Sequence, residues 1–488
     1  MEEMAWEGMM RWLYAFQVLA CALVLYSSRA FVIRKVGGGG GVAMEKTAAT
    51  IAAPRRVTSS SAFIVFQRAF LTVFLLASMA DGLQQVYGES LYQSYALKRR
   101  DIALLLAVGH ATSLSLGTFL GASADTIGRK RMCMLYCFLQ VLAFFAKQMN
   151  NFKVLCFAHV CLGLSAALYF SAFEAWMTTE HEKMGFRHEW LNETFWMMSL
   201  GMGIVAIGSG ALANFLVEWE GVGARAPSFA AAVVSAVCFL IIKSTWVENV
   251  GVRHISLSRP ISNAFQALQE KSVALLGWAQ ACFDLAVGIF WLLWIPTLVA
   301  DGREVQSGLI YTCLMASRML GSSIAALLQC GPLNTPLGAF LPYIFLVAAG
   351  SLFLPAYDYQ EIGVLLACFC LFHICVGIIW PSLAHLRSIY IPNDRRAAVL
   401  SLFRVPVHGA ILFIIVRGEL FLGLENSTIF TLAIVGLLSA AACIHMITRT
   451  KHSTSQENGL WKVLTRIVTS TFKDMSSTVQ WLCLHKFY

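Results

Sequence analysis

Thirteen apolar stretches run through this chain, most of them near the roughly 20 residues an α-helix needs to cross a bilayer. The first covers residues 10–31. Twelve follow at 62–87, 102–122, 132–145, 154–177, 194–216 and 228–246, then at 272–299, 305–330, 337–356, 362–386, 397–416 and 428–447. Segments this long and this poor in charge leave little polar surface for water. Of the 488 residues, 58% are hydrophobic and 13% charged, about half the charged share of a soluble domain. A soluble fold still needs charge on its outside, so a soluble enzyme, a disordered scaffold and a nucleic-acid binder are all poor fits. The pattern implies an all-α, multi-pass membrane protein.

The longest polar gap within the twelve, residues 247–271, contains Arg253, Arg259, Pro260 and Lys271 and divides the spans six and six. An even split around a central loop is the mark of a duplicated six-helix bundle, although no strong sequence repeat joins the halves. The expected organisation has an extra transmembrane helix and a Gly-rich cytoplasmic tether over residues 1–61. A six-helix bundle over 62–246, a cytoplasmic loop over 247–271 and a second bundle over 272–448 come next. A cytoplasmic tail, 449–488, closes the chain, with Leu460, Leu464, Ile467 and Val468 on one face of an amphipathic segment suited to the inner leaflet.

Basic residues set the orientation. Loops on the side of the central loop carry Arg129, Lys130, Arg131, Lys183, Arg187, Arg387, Arg395 and Arg396. With the two ends of the chain, they outnumber by more than two to one the opposite set, which includes Lys98, Arg99, Arg100 and Lys147. Both ends of the twelve-span unit are therefore expected in the cytoplasm, and the net charge of +9 reads as retention of basic loops. The first stretch has Arg34 and Lys35 beyond its far end and no A-x-A site after it, which favours a retained anchor over a cleaved signal peptide. The 14 cysteines lie scattered with no CxxC pair, so they read as packing residues and no metal or disulfide framework is expected.

After the second of the twelve spans comes GASADTIGRKR, Gly121 to Arg131. Gly121 allows close helix approach and Gly128 a tight turn. Asp125 can pair with a basic group or face a helix N-terminus, and Arg129 to Arg131 hold the loop inside. This stretch resembles the signature loop of the major facilitator superfamily, G-x-x-x-D-x-x-G-R-[RK]-x, with Thr126 in place of the usual basic residue. The chain also carries FSAFEAW from Phe170 to Trp176, LGSS from Leu320 to Ser323, WPS from Trp380 to Ser382 and YIPNDRRAAVLSLFRVPVH from Tyr390 to His408. Together with the extra leading helix, these resemble the molybdate-anion transporters of that superfamily from Phe66 to Ile447. The resemblance implies two six-helix bundles plus one extra helix, and a secondary carrier whose substrate is molybdate, a tetrahedral dianion.

Ionisable side chains at membrane depth cost several kcal/mol unless paired or wetted, so each is a functional candidate. Here they are Asp81, Glu174, Asp284, Arg318, Arg404 and His408. A dianion needs fixed positive charge, and a guanidinium presents a fork of donors to its oxygens. Arg404, in the shared FRVP stretch, is the first candidate, and Pro406 loosens the backbone beside it. His408 lies one turn on, and Arg404 could equally form an ion pair with Glu174. Arg318 stands where the family residue is usually small or apolar, either as a second anion clamp or to offset Asp284. Gln84 and Tyr87, one and two turns after Asp81, could donate to an oxyanion. Asp81 and Asp284 would repel a dianion if ionised, so arginine pairing or proton uptake is expected, and with the latter proton-coupled transport. His159, standing where many superfamily members carry arginine, could relay protons; hydrogen-bonded packing is the plainer reading for it, for His110 and for His373. Asp125, Gly128 and Arg129, with the start of the eleventh span, form the expected latch of an inner gate.

A transporter is the leading class. Alternatives are a carrier of another small solute or a transceptor or scaffold that retains the fold without turnover. No G-x-S-x-G elbow or clustered metal ligands suggest an enzyme, and neither a cofactor nor a nucleic-acid partner is expected. A monomer in the plasma membrane is the default expectation.

Overall fold

The computed structural model describes residues 60–219, 223–251, 260–299, 307–329, 337–357, 361–417 and 425–451, with five isolated positions, 12, 15, 17, 19 and 22. Those five are helical, and Gln17 is buried. The rest of the leading stretch, the Gly-rich tether, residues 252–259 of the central loop and the tail helix expected near residue 464 lie outside the described residues.

In a bilayer every backbone polar group must find its partner inside the chain, so apolar spans become helices. The twelve are α1 (Ser60–Val86), α2 (Arg99–Thr112, continued through a π-helical turn, Ser113–Gly117, into Thr118–Ala122), α3 (Arg129–Lys147), α4 (Phe152–Lys183), α5 (His188–Trp219) and α6 (Ala226–Thr245). The second set is α7 (Lys271–Leu298), α8 (Ser307–Gln329), α9 (Leu337–Ser351 and Phe353–Ala356), α10 (Ile362–Tyr390), α11 (Arg396–Phe403 and Val405–Ile415) and α12 (Asn426–Lys451). Eleven of them are long and apolar enough to span by themselves. The exception is α3, whose first turn is Arg129-Lys130-Arg131; it packs along α4 and α6 as a full member of the bundle.

Several helices overrun the apolar stretch that announces them. The sequence pattern places the fourth span at 154–177, yet α4 has 32 residues. At 1.5 Å per residue that is about 48 Å, well beyond a hydrocarbon core of about 30 Å. The surplus is polar, so hydropathy does not see it, and it carries Thr179, Glu180 and Glu182 beyond the apolar stretch.

Two apolar cores form. One is built on Phe70, Phe74, Tyr136, Phe173 and Phe195 from α1 to α5, the other on Phe283, Phe290, Phe345, Phe369 and Phe372 from α7 to α10. The halves meet where α5 lies on α8 and α10, and where α11 lies on α2 and α4. A short repeat marks equivalent places in them. His159-Val-Cys-Leu-Gly163 in α4 matches His373-Ile-Cys-Val-Gly377 in α10. Each glycine is pressed against the backbone of a neighbouring helix, Gly163 against Gly109 of α2 and Gly377 against Arg318 and Ser322 of α8. A side chain at either place would collide with main chain, whereas Gly350 in α9 has open space around it. Overpacking of this kind costs about 1–3 kcal/mol. Gly163→Ala and Gly377→Ala should each lower the thermal midpoint of the purified protein by several degrees, while Gly350→Ala should hold or raise it; size-exclusion melting curves make the comparison.

Candidate functional site

A cavity of about 510 Å³ opens between α1, α4 and α6. Its wall is aromatic, with Phe66, Phe70, Trp176 and Trp246, and Glu180 is its one charged side chain. Nothing there attracts an anion. The charges converge instead in a narrower central cavity between the two halves, lined by Tyr169, Phe170, Glu174, Gln280, Asp284, Trp380, Arg387 and Arg404.

Arg404 is aimed there by a break in α11. Pro406 cannot donate to the helix and its ring crowds the carbonyl four residues back, and the helix stops at Phe403 and restarts at Val405, with Arg404 as the joint. The guanidinium lies 3.6 Å from the ring centre of Phe170 on α4 and donates from Nη1 to Asp284 Oδ2 at 3.3 Å. Its buried Nε has no hydrogen-bond partner. One donor edge is therefore uncommitted beside an aromatic face, in a cavity where an oxyanion would supply the missing acceptors.

The expected pairing of Arg404 with Glu174 is not what forms. Glu174 receives a two-pronged bond from Arg387, Nε to Oε1 at 3.0 Å and Nη2 to Oε2 at 2.6 Å. Arg387, read from the sequence as a loop charge, belongs to the last turn of α10 and is buried. Arg129 and Arg396, both read as loop charges, are fully buried as well, as is Lys147, which donates to Gln84 from the far end of α3. All four stand in the terminal turns of helices and are turned against the bundle, where main-chain, amide and carboxylate acceptors compensate the burial.

At the end of the molecule that carries the Gly121–Arg131 loop, Asp125 accepts from Arg129 Nη2 at 2.6 Å and from the backbone N–H of Ala398 at 2.9 Å and Ala397 at 3.3 Å. These N–H groups open α11, so a carboxylate of the first half sits on a helix N-terminus of the second, where the dipole favours it. Gly128 has φ +125, a left-handed turn that lets α3 start directly beneath Asp125. Arg129 also donates to Thr179 of α4 and to the Asn393 carbonyl. Arg396 caps the end of α10 through the carbonyls of Arg387 at 3.0 Å and Ile391 at 2.8 Å. The inner face of the molecule is thus closed by one continuous set of bonds between the halves.

The remaining candidates are distributed over the outer half. His408 of α11 meets His110 of α2, Nδ1 to Nδ1, at 3.2 Å. Arg318 of α8 has a buried Nε without a partner and lies near Tyr311 and Tyr169. Asp81 accepts from Gln85 at 2.8 Å and from Gln140 at 3.5 Å. Gln84 is turned towards Gln140 and Lys147, and the Tyr87 hydroxyl donates to Asn214, so neither lines the central cavity. His159 bonds to Tyr92 as a packing histidine does. His373 is packed by Phe290, Trp291 and Phe372, but its ring nitrogens have no partner, unlike the hydrogen-bonded histidine expected. Sequence reasoning missed Arg387 and Gln280; the signal for Arg387 was its position seven residues beyond Trp380, still within helix.

Removing one member of a buried ion pair strands the other and costs about 3–5 kcal/mol. Arg387→Met should therefore lower the thermal midpoint sharply, and adding Glu174→Gln to it should restore much of the loss, as a double-mutant melting series would show.

Comparison with known proteins agrees with this architecture. A family model of the major facilitator type, described as sugar transporters with 12 TM, matches residues 35–370. A protein named molybdate-anion transporter from Xenopus tropicalis is 31% identical over 394 residues, 78% of this chain and 86% of the relative. Its namesake from Takifugu rubripes is 30% identical, covering 75% and 82%. Among solved structures, the human organic anion transporter TETRAN superimposes with a TM-score of 0.60 at 13% identity, covering 78% of this chain and 99% of its own. A bacterial homologue of the iron transporter ferroportin in its outward-facing state gives 0.63 at 14%, covering 79% and 99%.

Proposed function

The chain belongs to the molybdate-anion transporter family of the major facilitator superfamily, and we propose that it carries molybdate across its membrane by alternating access. It is a transporter and not an enzyme. The observation that carries the substrate reading is the Arg404 guanidinium in the central cavity, with a free donor edge and a single, long bond to Asp284. Guanidinium geometry suits a tetrahedral oxyanion better than an uncharged solute such as a sugar, which would leave a buried charge uncompensated. Arg318, near Tyr311 and Tyr169, is a second guanidinium station on the path, and His408 meets His110 on α2. Gln84 and Tyr87 act from the wall, supporting Lys147 and α5 rather than touching the anion.

Transport would proceed by rocking of residues 62–246 against 272–448 around this cavity. Asp125, Gly128 and Arg129 form the latch on the start of α11, and Glu174 with Arg387 forms the bolt above it. The closed inner face corresponds to a carrier that loads from outside. Asp284 must leave Arg404 when the anion arrives. Protonation of Asp284, or of Asp81, removes its repulsion of the dianion and couples transport to protons. The unit is a single chain in the plasma membrane.

Proteoliposomes should take up labelled molybdate, with excess tungstate or sulfate competing and excess hexose not. Arg404→Ala should reduce uptake at least tenfold at normal surface expression, and Arg404→Lys should recover only part of it. An inward proton gradient should accelerate uptake; indifference to the gradient rules out proton coupling. Asp125→Ala should slow uptake severalfold while the protein remains monodisperse, since it loosens the closed state without touching the anion.

A further inference from the structure

Gln280 of α7 is buried and lines the central cavity. Its amide bridges the two ionic pairs described above. Oε1 accepts from Arg387 Nη1, and Nε2 donates to Asp284 Oδ1 at 2.9 Å. Only one orientation of the amide serves both neighbours, because a guanidinium can only donate and an ionised carboxylate can only accept. A flipped amide would set its own N–H groups against Arg387.

These bonds close a ring. Phe170 and Glu174 lie one turn apart on α4. Glu174 holds Arg387 of α10, Arg387 holds Gln280, Gln280 holds Asp284 one turn along α7, Asp284 holds Arg404 of α11, and Arg404 returns to the ring of Phe170. The circuit leaves the first half at Glu174, runs through three helices of the second, and returns to the first half at Phe170.

We infer that Gln280 is a positioning residue that transmits occupancy of the anion site at Arg404 to the inner gate at Glu174–Arg387. This rests on the reading of Arg404 as the anion ligand. In the closed form, Asp284 is shared by Arg404 and Gln280, the amide is held in its one productive orientation, and Arg387 is fixed against Glu174. An oxyanion on Arg404 takes the place of Asp284. Once Asp284 swings away or gains a proton, it no longer fixes the Gln280 N–H, the amide is free to rotate, and Arg387 loses the acceptor that holds it in the plane of Glu174. The bond between the halves then weakens only after the anion has arrived.

Hydrogen exchange of the full chain with and without sodium molybdate tests this, with molybdate binding measured in parallel. In the native protein, molybdate should speed exchange severalfold across residues 121–131 and 393–403. Gln280→Leu should bind molybdate within threefold of native affinity, yet show no exchange response and at least tenfold slower uptake. Gln280→Met removes both bonds without adding charge to the cavity, so it should behave in the same way and serves if the leucine variant fails to fold. A native-sized exchange response in a well-folded variant overturns the inference while leaving the anion site standing. Loss of molybdate binding by the variants also overturns it, since Gln280 would then be a ligand. If the native chain itself binds no molybdate, the anion-site reading falls and the inference with it.

Discussion

The closed form of this molecule depends on placing carboxylates of one half against cationic or N–H groups of the other, within a layer where neither could stand alone. Asp125 on the N-terminus of α11 and Glu174 on Arg387 are the two buried contacts of this kind among the described residues. Without the other half, Glu174 would be left uncompensated, and Asp125 would keep only Arg129. Together they make the inner face an arrangement that is either fully formed or fully apart. Apolar contacts between helices do not have this property. They weaken gradually with separation, and lipid replaces them at little cost. Ionic closure therefore gives the two-position behaviour that alternating access requires, and apolar packing within each half keeps the halves rigid while they move.

Much of this was legible in the residues alone. Twelve spans and the Gly121–Arg131 loop needed only hydropathy and turn chemistry, because a bilayer permits so few backbone solutions. The break at Arg404 followed from Pro406. Two kinds of information were not legible. Hydropathy registers where a helix leaves the hydrocarbon, not where it ends, so the polar extension of α4 and the partners it delivers to Arg129 stayed hidden. The positive-inside rule also treats every loop cation as solvated. Arg129, Arg387 and Arg396 break that assumption, being buried where they can be held by carbonyls and carboxylates.

That double use explains a feature of the candidate site that neither rule anticipates. A cation at the inner end of a span satisfies topology wherever its side chain points. Turned outwards it does nothing more. Turned inwards, as Arg387 is, it supplies a gate without adding a charge to the middle of the bilayer, where the cost is highest. The central cavity then needs only one deeply placed guanidinium of its own, Arg404, and that one is shielded by Phe170 and Asp284.

The shield has a further consequence for selectivity among anions. A ligand must displace Asp284 from a bond of 3.3 Å that is weaker than the 2.6 Å contact between Arg387 and Glu174, so the site yields before the gate does. A monoanion would replace one negative charge by another at Arg404, gaining little. On the proposed reading, a dianion brings a second charge that the released donors of Arg404 can receive. Preference for doubly charged oxyanions would then follow from the free donors of Arg404 rather than from a fitted shape, and discrimination between oxyanions of equal charge would fall to the aromatic wall of Tyr169, Phe170 and Trp380.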